Sequence, residues 1–189
     1  VVFAIDRAGL VGEDGDTHQG VFDISYLRHI PNLTLMAPKN TEELKYMLDY
    51  ALQINGPAAI RYPKNSTDVV EEIPSFPLEN LKWETLIEGE DIAIFAVGSM
   101  VDTALQTATL LRRQGFNPTV INARIIKPID YETLNQLFDR HSLLWVTMED
   151  NIIEGGFGSS VNEYAMLKNI NIKIKNIGVP NIYVDHGTI

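Results

Sequence analysis

The sequence predicts an α/β fold with mainly parallel sheets, built as two consecutive units. Short apolar runs typical of strands alternate with longer segments in which apolar residues recur at helical spacing. This alternation favours parallel pairing, because a helix returns the chain to the same end of the sheet after each strand. Residues 64–82, which contain two prolines and mixed charge without a sustained period, separate the two alternations.

The first unit, residues 1–63, contains three predicted strands and two predicted helices. VVFAID, NLTLMAP and AAIRYP predict strands, the first and last of them buried, and FDISYLRHI predicts a short helix. NTEELKYMLDYALQING predicts a longer helix, because Asn40 can cap it and Glu43 follows three residues later, as in a capping box. The apolar face of that helix is expected to contain Leu44, Met47, Leu48, Ala51 and Leu52.

The second unit, residues 83–189, repeats the alternation after an interdomain linker at 64–82. A long surface loop within one domain is the alternative interpretation of that linker. Strands are predicted at DIAIFAVG, NPTVINAR, SLLWVTMED and NIKIKNIG, and helices at SMVDTALQTATLLRRQG, DYETLNQLFDRH and GSSVNEYAMLK. Asp130 is expected to cap the second of these helices.

Composition excludes several classes of function. The chain has 189 residues, no cysteine and a formal net charge of -10, so disulfides and thiolate metal sites are excluded. The negative charge argues against nucleic acid or an anionic membrane surface as the main partner. No apolar run is long enough to span a bilayer, and the composition suggests a cytoplasmic protein. Because the chain opens inside an apolar strand, we expect it to be a fragment that lacks an N-terminal portion.

Polar side chains follow two of the predicted strands in the first unit. DRAGLVGEDGDTHQG follows the first strand and contains Arg7, and Arg61 lies near the end of AAIRYP. Loops at the carboxyl ends of parallel strands form the binding crevice of α/β sheets. Two guanidiniums at one crevice would suit a phosphate, because each can donate paired hydrogen bonds. Spacing alone nevertheless favours the alternative in which each arginine pairs with a local carboxylate.

The same loop carries other candidate groups. His18 could move a proton or anchor a polar group, although a lone loop histidine is more often simply exposed. The loop does not match the glycine pattern of a dinucleotide site, and no helix start follows it directly. Its acidic residues, Glu13, Asp14 and Asp16, lack the glutamate that closes an EF-hand loop, so a calcium site of that kind is rejected.

Several segments together resemble the 1-deoxy-D-xylulose-5-phosphate synthases, thiamine-diphosphate enzymes of the transketolase superfamily. They are DRAGLVGEDGDTHQGVFDISYLRHIPNLTLMAP, GPAAIRYP, KPID, VTMEDNIIEGGFGSSVNE and NIGVPNIYVDHGT. The core GEDG-x-THQ is shared with transketolases, and its flanks point to the synthases. The resemblance implies a partial three-layer parallel-sheet pyrimidine-binding domain at 1–63, followed by a transketolase C-terminal-like α/β domain at 83–189.

The resemblance also implies roles for four residues. Arg7 and Arg61 match positions that hold the phosphate of glyceraldehyde 3-phosphate, and Asp14 matches a carboxylate that bonds an acceptor hydroxyl. His18 matches a histidine that faces the thiamine-bound intermediate. The reaction implied is the condensation of pyruvate with glyceraldehyde 3-phosphate to 1-deoxy-D-xylulose 5-phosphate and carbon dioxide, by a homodimer.

The family's cofactors, thiamine diphosphate and Mg²⁺, are expected to bind outside this sequence. The GDG…N motif and the glutamate that activates the aminopyrimidine ring are absent from it, and no metal-binding residue is predicted. We therefore expect the chain alone to bind neither cofactor and to be inactive.

Two further interpretations stay open at this point. One is a transketolase or 2-oxoacid dehydrogenase β-subunit fragment, and the other is a non-catalytic dimerisation module. EDNIIEGGFGS could be a phosphate cradle, but the resemblance favours a structural turn with Ser159 or Ser160 as the helix cap. No role is predicted for the remaining histidines, which are His29, His141 and His186.

Overall fold

The strands form two sheets, with helices packed against them. This computed structural model describes residues 1–64, 82–140 and 144–188, without the side chain of Asp139. Most of the predicted linker and His141 therefore lie outside the described residues. In chain order the elements are β1 (Val2–Ile5), α1 (Asp23–Leu27), β2 (Thr34–Met36), α2 (Thr41–Gln53), β3 (Ala58–Arg61), β4 (Glu84–Ile87), β5 (Ile92–Ala96), α3 (Met100–Arg113), β6 (Thr119–Asn122), β7 (Ile125–Lys127), α4 (Tyr131–Arg140), β8 (Leu144–Ile152), α5 (Phe157–Leu167) and β9 (Ile174–Val179).

The first sheet has the strand order β1-β3-β2-β7. β1 and β2 both pair in parallel with β3, as the sequence predicts, and Ile5 lies opposite Arg61. β7 comes from the second half of the chain and pairs antiparallel with β2. The expectation that VVFAID is buried is wrong, since Phe3 is 51% exposed. The proposed boundary between units thus leaves one strand of the first sheet on the far side of the linker.

The second sheet has the strand order β4-β6-β5-β8-β9. Its last four strands in that order are parallel, and β4 pairs antiparallel with β6 at the edge. α3 packs on β5, β6 and β8, and α5 packs on β8 and β9. The predicted α/β class with mainly parallel sheets is confirmed, whereas β4 is a strand that the sequence patterns did not reveal.

Capping follows the sequence at two helices. The Asn40 side chain accepts a hydrogen bond from the Glu43 backbone N–H at 2.9 Å, at the start of α2. The Glu43 carboxylate reaches back to the backbone N–H of Lys39 at 2.7 Å, one residue before the position expected for a capping box. Of the predicted apolar face of α2, Leu48 and Leu52 are 45% and 70% exposed, so only part of that face packs inward.

One apolar core joins the two sheets. Four aromatic side chains meet edge to face, with ring-centroid distances of 5.4 to 5.7 Å: Trp83, Phe95, Trp145 and Phe157. The same cluster of buried residues includes β2 and β3 from the first sheet and β5 from the second. The indole N–H of Trp83 donates to the carbonyl of Ile125 at 2.7 Å, so its polar atom is satisfied. This shared core fixes how the two sheets face each other.

Beside that core lies a buried cluster of charged and amide groups. The Glu43 carboxylate is fully buried and accepts from the amide of Asn122 at 3.0 Å. Arg124 lies 3.4 Å from the same carboxylate, and Lys39 pairs with Glu84 at 2.7 Å. These groups come from both halves of the chain, so removal of one partner would leave a buried charge with too few contacts.

We expect Asp130→Ala to destabilise the chain. Asp130 accepts from the backbone N–H of Thr133 at the start of α4, at 3.0 Å, and from the backbone N–H of Trp83 at 2.9 Å. Loss of a helix cap together with an unsatisfied buried N–H should cost about 2 to 4 kcal/mol. Urea denaturation followed by tryptophan fluorescence measures the change.

The matched control is Asp49→Ala, which removes an exposed carboxylate from the middle of α2. Its free energy of unfolding should stay within about 0.5 kcal/mol of the unmodified chain. Equal stabilities of the two variants would contradict the capping role of Asp130.

Candidate functional site

The carboxyl ends of strands from both sheets meet at one place. β1 and β3 end side by side, where the Tyr62 N–H donates to the Ile5 carbonyl at 3.0 Å. In the second sheet Asp150 lies on β8, and its carboxylate contacts the Arg61 guanidinium at the end of β3. Since ligand sites of α/β sheets form at such strand ends, this junction is the candidate site.

Arg61 lies buried at the centre of this junction. Its side chain is 1% exposed, its Nη1 lies 2.5 Å from Asp150 Oδ1, and its Nη2 donates to the Gly20 carbonyl at 2.8 Å. The Nε of Arg61 has no hydrogen-bond partner among the described residues and lies 3.8 Å from Asp23 Oδ2. The guanidinium therefore has one close ion pair and retains unused donor capacity.

Asp23 is the second carboxylate beside Arg61. Burial raises the pKa of Asp23, although the nearby Arg61 charge opposes that change. Its Oδ1 accepts from the Tyr26 hydroxyl at 3.0 Å, and its Oδ2 has no partner among the described residues. Burial and the Asp23 charge raise the pKa of Tyr26 to about 12, so this hydroxyl remains a donor at neutral pH.

Arg7 lies at the exposed mouth of the junction and contacts Asp14. Its Nε donates to Asp14 Oδ2 at 2.8 Å, and its guanidinium also pairs with Asp6. Lys64 approaches the other Asp14 oxygen at 3.0 Å. Hydrogen bonds from Arg7 and Lys64 lower the pKa of Asp14, which therefore stays ionised through neutral pH.

The loop that carries these groups is closed at its base by backbone hydrogen bonds. Gly9 donates to the Gly20 carbonyl at 3.0 Å, and Gly20 donates to the Arg7 carbonyl at 2.8 Å. A Cβ on Gly20 would lie 2.5 Å from that same carbonyl oxygen, so the close approach requires glycine. Arg7 has a φ of 59°, a left-handed conformation that these bonds must maintain against its steric cost.

The structure brings only some of the predicted residues into direct contact. Arg7 and Asp14 bond each other, and the Arg7 backbone and the Arg61 side chain both bond Gly20. His18 is exposed, and the contact found for its Nδ1 is the neighbouring Thr17 hydroxyl at 2.8 Å. Arg7 pairs with the local carboxylates Asp6 and Asp14, as the alternative interpretation anticipates. Arg61 instead pairs with Asp150, which lies 89 positions away in the sequence. The phosphate-binding role of the two arginines stays a prediction.

Sequence reasoning missed Asp150 and Lys64. Asp150 lies in EDNIIEGGFGS, a segment assigned only to a turn, yet three polar residues near the carboxyl end of a parallel strand are the signal of a crevice. Asn151 also crosses to the first half of the chain, where its side chain accepts from the Ile24 N–H at 3.0 Å. No pattern singled out Lys64, because its contact with Asp14 spans 50 positions of sequence.

The glycine turn before α5 is closed by a carboxylate from the same chain. Glu149 accepts from the backbone N–H groups of Phe157 and Gly158 at 2.7 and 2.8 Å. The expectation that Ser159 or Ser160 caps this helix is therefore wrong. Because Glu149 already occupies the helix N-terminus, the structural interpretation of EDNIIEGGFGS fits better than a phosphate cradle.

Other regions of the described residues add little to this site. A cavity of about 550 Å³ lies between the end of α1, β7 and α5, and its lining includes Arg28, Lys127, Tyr131 and Tyr164 but none of the four candidate residues. Within the described ranges, no three acidic or histidine side chains are grouped so that they could hold a metal ion. His29 and His186 are both exposed.

Comparison with known protein families covers both halves of the chain. The model of the transketolase C-terminal domain matches residues 81–189. The chain belongs to the transketolase family. A second model of that family, for the transketolase pyrimidine-binding domain, matches residues 1–69. Arg7, Asp14, His18 and Arg61 fall in the range of the pyrimidine-binding match, and Asp150 falls in the range of the C-terminal match.

Curated members of the family that resemble this chain confirm the similarity found from the motifs. A 1-deoxy-D-xylulose-5-phosphate synthase of Clostridium tetani is 48% identical over 100% of this chain and 30% of its own length. The synthase of Clostridium acetobutylicum is 47% identical with the same coverages. The chain thus spans about a third of the length of the curated relatives it matches.

A solved transketolase-family structure shares the fold of the whole chain. It is a split-gene transketolase described as an inactive β4 tetramer, with a TM-score of 0.85 and 27% sequence identity. The match covers 98% of this chain and 59% of that one. Among the described residues of this chain, no helix has the length and apolar character to cross a membrane.

The buried carboxyl of Glu149, in the turn before α5, should make the stability of the chain depend on pH. Burial raises the pKa of Glu149 from 4.5 to about 7, against the opposing effect of its two backbone donors. The folded chain thus keeps a proton that the unfolded chain loses, and stability should fall as pH rises from about 4.5 to about 7, by up to about 3 kcal/mol. Urea denaturation at a series of pH values measures this slope.

The Glu149→Gln variant cannot ionise at this position, so its stability should depend less on pH across that window. Glu163→Gln, which alters a carboxylate on the exposed side of α5, is the control and should keep the original slope. An unchanged slope in Glu149→Gln would contradict the raised pKa of the buried carboxyl.

Proposed function

We propose that this chain forms the acceptor-binding part of a thiamine-diphosphate-dependent transferase. The reaction is the condensation of pyruvate with glyceraldehyde 3-phosphate, which gives 1-deoxy-D-xylulose 5-phosphate and carbon dioxide. The observation that carries the proposal is the junction of strand ends, where the buried Arg61 side chain and the backbone of Arg7 both bond Gly20 and the Arg7 side chain pairs with Asp14. Relatives with this synthase name, matched along the entire chain, support it.

Arg61 and Arg7 would bind the acceptor phosphate from two sides. A guanidinium suits this task because its N–H groups can bond two phosphate oxygens at once. Arg61 retains unused N–H groups but is 1% exposed, so phosphate would reach it only when the loop carrying Gly20 moves aside. Arg7 lies on the same loop and is more exposed, so it would meet the phosphate first.

Asp14 and His18 would act on the oxygen atoms of the acceptor. Asp14 stays ionised because Arg7 and Lys64 lower its pKa, so it can accept a hydrogen bond from an acceptor hydroxyl. Bond formation turns the aldehyde oxygen of the acceptor into an alkoxide, which needs a proton. A protonated His18 could supply that proton, and its exposed position on the loop leaves it free to approach a bound acceptor.

Thiamine diphosphate and Mg²⁺ would be held by another part of the complete enzyme. The described residues do not fit a metal-bound diphosphate, because they contain no suitable group of acidic or histidine side chains. No step of the reaction is therefore assigned to this chain through either cofactor. Its own contribution is to bind and orient the acceptor, which lowers the entropic cost of the bimolecular step.

We expect Arg61→Ala in the complete enzyme to weaken acceptor binding selectively. Loss of a charge-assisted contact should raise the KM for glyceraldehyde 3-phosphate about 10- to 100-fold, while the KM for pyruvate changes by less than about twofold. Steady-state kinetics with each substrate varied in turn measure both values. Unphosphorylated glyceraldehyde serves as the control acceptor, because the substitution should barely affect its KM. Equal effects on pyruvate and acceptor would count against phosphate binding.

The isolated 189-residue chain should show no turnover of pyruvate and glyceraldehyde 3-phosphate, even with added cofactors. The reason is that the groups proposed to hold the cofactor lie elsewhere. The related split-gene transketolase, solved as an inactive β4 tetramer, supports this expectation. A coupled assay for released carbon dioxide tests it, with the complete homodimeric enzyme as the positive control, and any sustained release by the isolated chain would refute it.

A further inference from the structure

We propose that Asp150 is a positioning residue that holds the Arg61 guanidinium in place for the acceptor phosphate. This inference rests on the proposed function, since it concerns the same arginine. Asp150 lies on β8 of the second sheet, and Arg61 ends β3 of the first. Through Asp150, the second half of the chain would take part in acceptor recognition, in addition to its packing role.

Contacts on both carboxylate oxygens hold Asp150 in one orientation. Its Oδ1 lies 2.5 Å from Arg61 Nη1, and its Oδ2 accepts from the Ser99 hydroxyl at 2.7 Å. Ser99 follows β5, the strand next to β8 in the second sheet. The carboxylate is thus supported from its own sheet while it contacts the other. A side chain fixed in this way can determine the direction of its arginine partner.

The loop that carries Arg7 packs on the same carboxylate. A Cβ built on Gly9 would lie 2.6 Å from Asp150 Oδ2, so the loop backbone approaches this oxygen closely. Gly9 has a φ of +78°, which suits glycine at this contact. Asp150 therefore contacts Arg61 and also lies against the loop that carries Arg7.

Without Asp150, a different partner for Arg61 is close by. Asp23 Oδ2 lies 3.8 Å from Arg61 Nε, and neither of these two buried atoms has a hydrogen-bond partner among the described residues. A buried guanidinium that lost Asp150 would be expected to turn toward Asp23, because a buried charge needs a partner. That movement would take the guanidinium out of the position that it holds between Asp150 and the Gly20 carbonyl.

Two effects of Asp150 on phosphate binding have opposite signs. Its negative charge near Arg61 should weaken the attraction for an anion, whereas its contact with Arg61 should improve the geometry. We assign the larger effect to geometry, because Asp23 remains available to neutralise Arg61 when Asp150 is removed. The sign of the change in acceptor KM therefore decides between the two effects.

The test uses the complete enzyme with Asp150→Asn, Ser99→Ala, Arg61→Ala and the double variant Arg61→Ala/Asp150→Asn. Asp150→Asn should raise the KM for glyceraldehyde 3-phosphate about tenfold, with the KM for pyruvate and for unphosphorylated glyceraldehyde within about twofold. Ser99→Ala should raise the same constant by a smaller factor of about two to three. In the Arg61→Ala background, Asp150→Asn should have no further effect, because its influence acts through Arg61.

Glu163→Gln is the matched control, since the Arg28–Glu163 ion pair also joins the two halves of the chain. Its kinetic constants should match those of the unmodified enzyme. Circular dichroism reports the folded fraction of each variant, and Ser99→Ala carries the test if Asp150→Asn does not fold.

The outcomes separate the two proposals. If Arg61→Ala fails to raise the acceptor KM selectively, the proposed phosphate role of Arg61 is overturned, and the positioning role is overturned with it. If Arg61→Ala behaves as expected but Asp150→Asn leaves the acceptor KM unchanged, lowers it, or changes all three KM values alike, only the role of Asp150 is overturned. Additive effects in the double variant would overturn it as well.

Discussion

The contact between Arg61 and Asp150 at the candidate site depends on how the shared apolar core places the two sheets against each other. Trp83, Phe95, Trp145 and Phe157, all from the second half of the chain, pack edge to face in that core. The same core contains buried residues of β2 and β3 from the first half. Because this packing is dense, the carboxyl ends of β3 and β8 have little freedom to separate. A buried guanidinium and a carboxylate can then meet at 2.5 Å from opposite sheets. The geometry of the Arg61–Asp150 contact thus depends on the apolar packing beneath it.

The electrostatics of the junction depend on depth. Near the surface, Asp14 is shared by Arg7 and Lys64, and such partly exposed pairs can exchange partners at small cost. In the interior, Arg61 lies between Asp150 and Asp23, where desolvation makes an unpartnered charge expensive. The junction thus has partly exposed ion pairs at its mouth and buried ones beneath them. Under the proposed function, an incoming phosphate would replace the exposed carboxylate contacts of Arg7 before the buried contact of Arg61.

Sequence alone predicted much of the fold, because strand and helix periods and caps are local signals. Asn40 and Asp130 cap their helices as expected, and the alternation of elements gave the α/β class. The exposure of Phe3 was not predictable from its apolar run, since exposure depends on which strands lie alongside. Asp150 was missed for a related reason, because its partner Arg61 is 89 positions away and comes from another sheet. Short-range patterns cannot report such pairs.

Because the antiparallel strand β7 pairs with β2, the chain cannot be divided at its middle without breaking the first sheet. A cut between residues 64 and 82 would separate β2 from its neighbour β7, although the sequence predicts a linker there. The first piece would then expose an open hydrogen-bonding edge, of the kind that promotes sheet-to-sheet aggregation. The second piece would contain β7 without the strand β2 that pairs with it. Such a pair is suited to split-reporter design, because reassembly in trans would restore the missing ladder and cover both surfaces together.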